Sequence, residues 1–130
     1  MTSWTLLLTT AGAGGLGAGL RYLVDVLVMR GRRGAFPLGI LVVNATGSFA
    51  LGLLTGLAPA IGGEWVTTLG VGLLGGYTTF STVSTETVLL GQRHRRDWAW
   101  TNLLGTLGIC AFGAALGIGL GRLIAGWIPA

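Results

Sequence analysis

Between Thr78 and Thr87 lie seven hydroxyl residues, Thr78, Thr79, Ser81, Thr82, Ser84, Thr85 and Thr87, with Glu86 among them and the pair Gly75-Gly76 just before. The run falls inside an otherwise apolar segment, where each polar group has to find a partner within the protein. Serine and threonine can bond back to the carbonyl of the preceding helical turn, so scattered hydroxyls call for no functional account. Their density is different. Adjacent glycines invite local unwinding and β-branched threonines do little to resist it, so the segment is read as a broken helix. Backbone exposed at bilayer depth is tolerated where protein buries it or where it lines an aqueous site, and its carbonyls can then hold a small cation.

Three other positions add to this chemistry. Asn44 carries a neutral amide that can donate two hydrogen bonds to an anion or can bridge helices. Phe80 is a packing residue or, through the positive edge of its ring, a partner for an anion. Asn102, Thr106 and Cys110 recur at four-residue spacing and form a polar stripe on one helix face. Arg21 and Asp25 are also four apart, an i,i+4 ion pair or, for Arg21, a positive charge at a vestibule. Glu86 is expected near the end of its helix, beside hydroxyls or an arginine.

The elements that must position these residues are membrane spans. The chain has 130 residues, 52% hydrophobic and 9% charged, with a mean hydropathy of +0.76, far from the balance of a soluble domain. Apolar runs over about 4–29, 37–57, 65–90 and 98–128 each exceed the roughly 20 residues that cross a bilayer. The expectation is an all-α membrane protein: one domain over 1–130 with four transmembrane helices, the third broken. Pro37 suits a first helical turn and Pro59 a helix exit, and the five tryptophans cluster near span ends as interfacial anchors. The first span lacks a basic leading region and reads as retained.

All eight basic residues are arginines and the net charge is +4. They sit mostly in loops, which favours lipid headgroups and topology over nucleic acid. Arg30, Arg32 and Arg33 follow the first span; Arg93, Arg95 and Arg96 follow the third, beside His94. Only Arg122 lies toward the other side. That bias places both termini outside.

Two further patterns bear on assembly. Glycine supplies 25 residues, with Gly52/Gly56, Gly72/Gly76 and Gly113/Gly117/Gly121 four apart, a spacing that lets helices approach closely within a subunit or between subunits. Helices of this size favour a dimer. Gly12-Ala13-Gly14-Gly15-Leu16-Gly17 has the form G-x-G-x-x-G, but it lies inside an apolar helical run rather than between a strand and a helix, so it is no nucleotide motif. Cys110, alone in an apolar run, supports neither a disulfide nor a cysteine metal cluster.

Taken in order along the chain, Gly17-Ala18-Gly19-Leu20-Arg21-Tyr22, Pro37-Leu38-Gly39 through Asn44 to Gly47-Ser48-Phe49, and Gly75-Gly76-Tyr77-Thr78-Thr79-Phe80-Ser81-Thr82 followed by Glu86 resemble the small fluoride channels of the Fluc or CrcB family. The resemblance implies an antiparallel dimer in a bacterial or archaeal plasma membrane, with a structural sodium ion at its centre and passive fluoride export that confers resistance, and no enzyme activity. It implies that Gly75 and Thr78 offer backbone carbonyls to sodium. Asn44, Thr79, Phe80, Ser81, Thr82, Val83, Thr106 and Cys110 then line the fluoride pathway, with Arg21 at the vestibule.

This chain departs from the family pattern in two places. Val83 stands where a second phenylalanine is usual, and Cys110 stands in place of a hydroxyl. With the arginine bias, these departures favour a heterodimer with an oppositely oriented homologous subunit over a homodimer. The rival readings are a non-conducting partner subunit and a small multidrug exporter, which would need a carboxylate within its first helix. A cysteine introduced by Arg32→Cys is expected to be labelled from the cytoplasmic side, and clear external labelling would overturn the orientation.

Overall fold

The computed structural model describes residues 2–32 and 36–127, and every regular element in them is helical. Helix α1 spans Ser3–Met29, opened by Thr2, whose hydroxyl accepts from the Thr5 amide at 3.3 Å. Helix α2 spans Leu38–Ile61. Helix α3 is a continuous run over 63–77, with π-helical turns at Thr67–Leu74, and α4 follows as Phe80–Gln92. Helix α5 spans Arg96–Ala125, with a second π-helical stretch at Thr101–Gly105. Helices α1, α2 and α5 are each long and apolar enough to cross a membrane. Helices α3 and α4 occupy the expected third span and together run to roughly 40 Å at the α-helical rise.

The helices occupy the expected apolar runs to within a few residues, with three corrections. Pro37 stands just outside α2 as its cap, not in its first turn. Pro59 lies inside α2 rather than at its exit; in a final turn a proline removes one ladder bond and leaves the rest intact. The break in the third crossing is at Thr78 and Thr79, not at Gly75-Gly76, which are helical. Arg33 and residues 128–130 lie outside the described residues.

Glycine sets which helices pair. A Cβ on Gly56 would fall 2.8 Å from the Cα of Gly121, and one on Gly117 would fall 2.7 Å from the Leu53 amide nitrogen. Gly52 lies equally tight on the Ala114 carbonyl, so α2 and α5 touch backbone to backbone. On the other side, Gly72 meets the Thr10 carbonyl, Gly76 the Gly14 carbonyl, and Gly17 the Leu73 carbonyl, which seats α1 on α3. These rows act within the protomer. They also explain why Gly75-Gly76 does not unwind: Gly76 is needed in helical form to let α1 in.

Large apolar side chains point outward all along α1 and α5, among them Leu8, Leu16, Leu107 and Leu123, as expected where lipid or another helix is the solvent. The ring of Phe36, in the α1–α2 loop, meets Trp98 edge-on at 5.9 Å, and the Arg95 guanidinium lies 3.6 Å from the Trp98 ring centre. The two arginine-bearing loops therefore share one end of the bundle.

Gly52→Ala is expected to destabilise the protein by about 1–3 kcal/mol, because its methyl would displace the α5 backbone. Gly12→Ala, with nothing within 4 Å of the added methyl, should stay within about 0.5 kcal/mol. Denaturation of the two variants in mild detergent compares them, and equal losses would refute this packing account.

Candidate functional site

The interruption between α3 and α4 is two residues long. Thr78 (ψ 157°) and Thr79 (φ −152°, ψ 125°) are extended, so the backbone groups around them lose their helical partners. The last ladder bond of α3 runs from the Thr78 amide to the Leu74 carbonyl, at 2.9 Å. The next amide, that of Thr79, donates to Asn44 Oδ1 at 2.8 Å, while Asn44 Nδ2 donates to the Thr79 carbonyl at 2.9 Å. One side-chain amide thus takes both polar groups of Thr79, with Asn44 6% and Thr79 8% exposed. Gly47 permits this reach: a side chain there would strike Thr78 and Tyr77.

Thr79 then starts α4. Its hydroxyl accepts from the Thr82 amide at 3.3 Å and meets the hydroxyls of Ser81 and Thr82 at 3.2 and 3.1 Å. These diversions have a consequence for two carbonyls. The helical donor of Gly75 would be the Thr79 amide, now given to Asn44; the helical donor of Thr78 would be the Thr82 amide, now given to Thr79 Oγ1. Arg21 Nη1 approaches the Thr78 carbonyl at 3.5 Å, the long limit of a hydrogen bond. Gly75 and Thr78 are hard oxygen donors freed by the break, which is donor chemistry suited to a small cation. Among the described residues no cluster of His, Cys, Asp or Glu could hold a metal.

Beside the break is a cavity of about 520 Å³. Of the predicted pathway residues, Asn44, Thr79, Phe80, Val83, Thr106 and Cys110 line it. Ser81 and Thr82 turn toward the Thr79 hydroxyl instead. Ser84, Thr85 and Thr87 bond back to the carbonyls of Phe80, Ser81 and Val83 at 3.0, 3.0 and 2.7 Å, so part of the hydroxyl density is helix-internal. Glu86 lies half-buried in the middle of α4 rather than near its end, and does not line the cavity. Arg21 and Asp25 form no ion pair; Asp25 packs against Gly39 in the first turn of α2, where a helix N-terminus favours a carboxylate.

Three neutral polar groups on the lining have hydrogen-bonding capacity to spare. Asn44 has a second N–H beyond the one given to Thr79. Thr106 is 7% exposed, and its hydroxyl is buried with no partner. Ser48, one turn beyond Asn44 on α2, also lines the cavity; its i,i+4 spacing from Asn44 is the signal that could have added it to the expected set. Apolar contributions from Leu103, Leu104 and Leu107 were also missed, because an apolar wall has no signature in an apolar span. Asn102, 1% exposed, donates to the Val83 carbonyl at 3.2 Å and to Thr87 Oγ1 at 2.9 Å. It is a positioning residue that pins α5 to α4.

Comparison with known proteins decides the family. Residues 8–118 match the family model described as CrcB-like protein, Camphor Resistance (CrcB). The chain belongs to the CrcB family. It is 43% identical over 120 residues to fluoride-specific ion channel FluC 1 of Leifsonia xyli, covering 91% of this chain and 88% of that protein. Fluoride-specific ion channel FluC of Shewanella amazonensis is 45% identical, covering 77% and 82%; FluC 1 of Rubrobacter xylanophilus is 43% identical, covering 90% and 94%. Its apolar helices make this CrcB protein a multi-pass membrane protein, and the ion-channel names of its relatives accord with the expectation that it is not an enzyme.

Asn44→Ala would leave the Thr79 amide and carbonyl unpaired in a nonpolar setting, at about 1–3 kcal/mol for each group. A clear fall in the unfolding midpoint in detergent is expected, whereas Ser48→Ala should change it little. Equal midpoints for Asn44→Ala and the parent would show that Asn44 does not hold the break.

Proposed function

We propose that this CrcB protein is a subunit of a fluoride-selective channel in the cell membrane, exporting fluoride passively and lowering its toxicity. The observation that carries the reading is the cavity beside the break. Asn44, Ser48 and Thr106 are neutral polar residues in its otherwise apolar wall, the Thr106 hydroxyl buried and without a partner, and no charged side chain is on its lining. Fluoride is small and tightly hydrated, so a pathway must replace its water with donors yet avoid holding it; neutral amides and hydroxyls do this better than a buried cation. Phe80, 76% exposed, adds a ring whose positive edge can meet an anion. A negative cell interior drives the anion outward.

The remaining expectations follow from what one protomer leaves unfinished. Phe80, Leu104 and Leu107 at the cavity are exposed, and the carbonyls of Gly75 and Thr78, the latter already approached by Arg21, are fewer oxygens than a hard cation takes. A second subunit in antiparallel orientation would cover the first and complete the second. Gly75 and Thr78 would hold a sodium ion there, whose positive charge would tie the two broken helices together. Within the subunit, the same peptide arrangement depends on Asn44 and on the Thr79 cap.

The choice of partner turns on charge and on Val83. Arginines concentrated at one end of the bundle favour a single orientation, with that end cytoplasmic and both termini outside. An oppositely biased homologous subunit then serves better than a second copy. Val83 is 3% exposed and offers no ring edge, which is the observation favouring a second reading: a partner subunit that does not conduct along its own surface. A multidrug exporter has no support in the cavity, since Asp25 of α1 packs on Gly39 rather than lining it.

Fluoride efflux from liposomes containing the chain, with chloride as control, tests the function. Selective fluoride flux by the chain alone supports a homodimeric channel. Flux only after adding an oppositely biased homologue supports the heterodimer, and equal fluoride and chloride flux would sink the fluoride reading. Phe80→Ala should lower fluoride flux by about tenfold or more, the factor for roughly 1.4 kcal/mol of barrier.

A further inference from the structure

Arg21 carries a charge within the first apolar span, where a charge is costly and ordinarily has a partner. Among the described residues no carboxylate pairs with it: Asp25, one turn on, packs against Gly39 instead. Its polar contact there is the Thr78 carbonyl, 3.5 Å from Nη1. The packing of α1 on α3 sets that aim. Gly17, one turn before Arg21 on the same face, lies against the Leu73 carbonyl, and a Cβ on it would fall 2.9 Å from the Tyr77 amide nitrogen. Arg21 is thereby carried past the last turn of α3 to the point where the chain becomes extended. What it reaches is a helix C-terminus, whose negative partial charge favours a cation, and one of the two carbonyls that the break frees. A guanidinium and a small cation sharing that oxygen would stand close together, and in a site poor in water two like charges repel strongly.

We propose that Arg21 is the subunit's own occupant of the Thr78 carbonyl: it satisfies the freed oxygen in the absence of sodium and has to turn aside for the ion to bind, so that it sets how much sodium the assembly needs. The proposal rests on Gly75 and Thr78 holding that ion. The flexible arginine stem lets the guanidinium leave without movement of α1. By linkage, whatever the guanidinium gains at the carbonyl is lost from the binding of the ion there. Arg21 is in this sense a positioning residue for the break, and its removal has two separable effects: the ion-free state loses a favourable contact, and the ion loses a competitor.

The test is the thermal unfolding midpoint of the full chain in mild detergent, with its partner subunit if assembly requires one. Sodium chloride is titrated against N-methyl-D-glucamine chloride at constant ionic strength, so that only the small cation changes. Without sodium, Arg21→Gln should unfold at a lower temperature than the parent. Its half-saturating sodium concentration should be lower by about tenfold, whereas Arg21→Lys, which keeps the charge, should stay near the parent. Arg122→Gln removes the same charge in the last turn of α5 and should leave the sodium demand unchanged. An arginine with a structural role alone would lower the midpoint without lowering the sodium demand. Arg21→Met, neutral and suited to an apolar span, repeats the comparison if Arg21→Gln does not fold. Equal or higher sodium demand in the neutral variants, or a shift that Arg122→Gln reproduces, overturns the proposal and leaves the cation reading standing. Midpoints that sodium moves in none of the proteins overturn both.

Discussion

Everything at the site depends on satisfying one peptide unit inside the membrane. A helix interrupted in hydrocarbon exposes amides and carbonyls that water cannot reach, and each would cost several kcal/mol unpaired. Asn44 meets that demand at Thr79 with a donor and an acceptor from one side chain. The asparagine side chain is short, so α2 must lie close to the break. Gly47 lets it do so, and Gly52 and Gly56 bring the same helix against α5. The backbone-to-backbone glycine packing is thus what holds Asn44 within reach, and Asn44 is what makes the interruption tolerable.

The interruption also sorts charge. α3 ends and α4 begins inside the bundle, so a helix C-terminus with its negative partial charge lies next to a helix N-terminus with its positive one. Freed carbonyls at Gly75 and Thr78 belong to the first end. Thr79 and Phe80, on the cavity, belong to the second. A continuous helix would have no such termini at this depth, and its carbonyls would be spent on its own ladder. On the channel reading, one two-residue break yields cation chemistry and anion chemistry on neighbouring surfaces without a charged side chain at either.

Most of the scaffold was legible in the sequence because bilayer crossing leaves a long apolar record: the four runs matched the helices to within a few residues, and loop arginines marked one end. The break was foreseen in the right segment for a partly wrong reason. Glycine is the weakest helix former apart from proline, so Gly75-Gly76 drew the expectation, yet close packing of Gly76 on Gly14 keeps that turn helical and moves the break to the threonines. Hydroxyl density was over-read for a similar reason, since Ser84, Thr85 and Thr87 serve their own helix. The Asn44–Thr79 pairing joins positions 35 apart, and nothing in local spacing could show it. Six of the expected pathway residues do line one cavity, because α2, α4 and α5 bring the faces that carry them together, with Phe80 left exposed at its edge.

Val83 gains meaning from its surroundings. Its carbonyl receives both the Thr87 hydroxyl and the Asn102 amide, so the backbone there is held from two sides while the side chain contributes only methyl groups to the cavity. A ring at that position would narrow the space, and a hydroxyl at 110 would make its wall more polar. With valine and cysteine instead, the cavity is roomier and less able to replace water around a small anion. On the proposed reading, the energetic deficit has to be met from across the interface, by a ring or hydroxyl on the facing subunit.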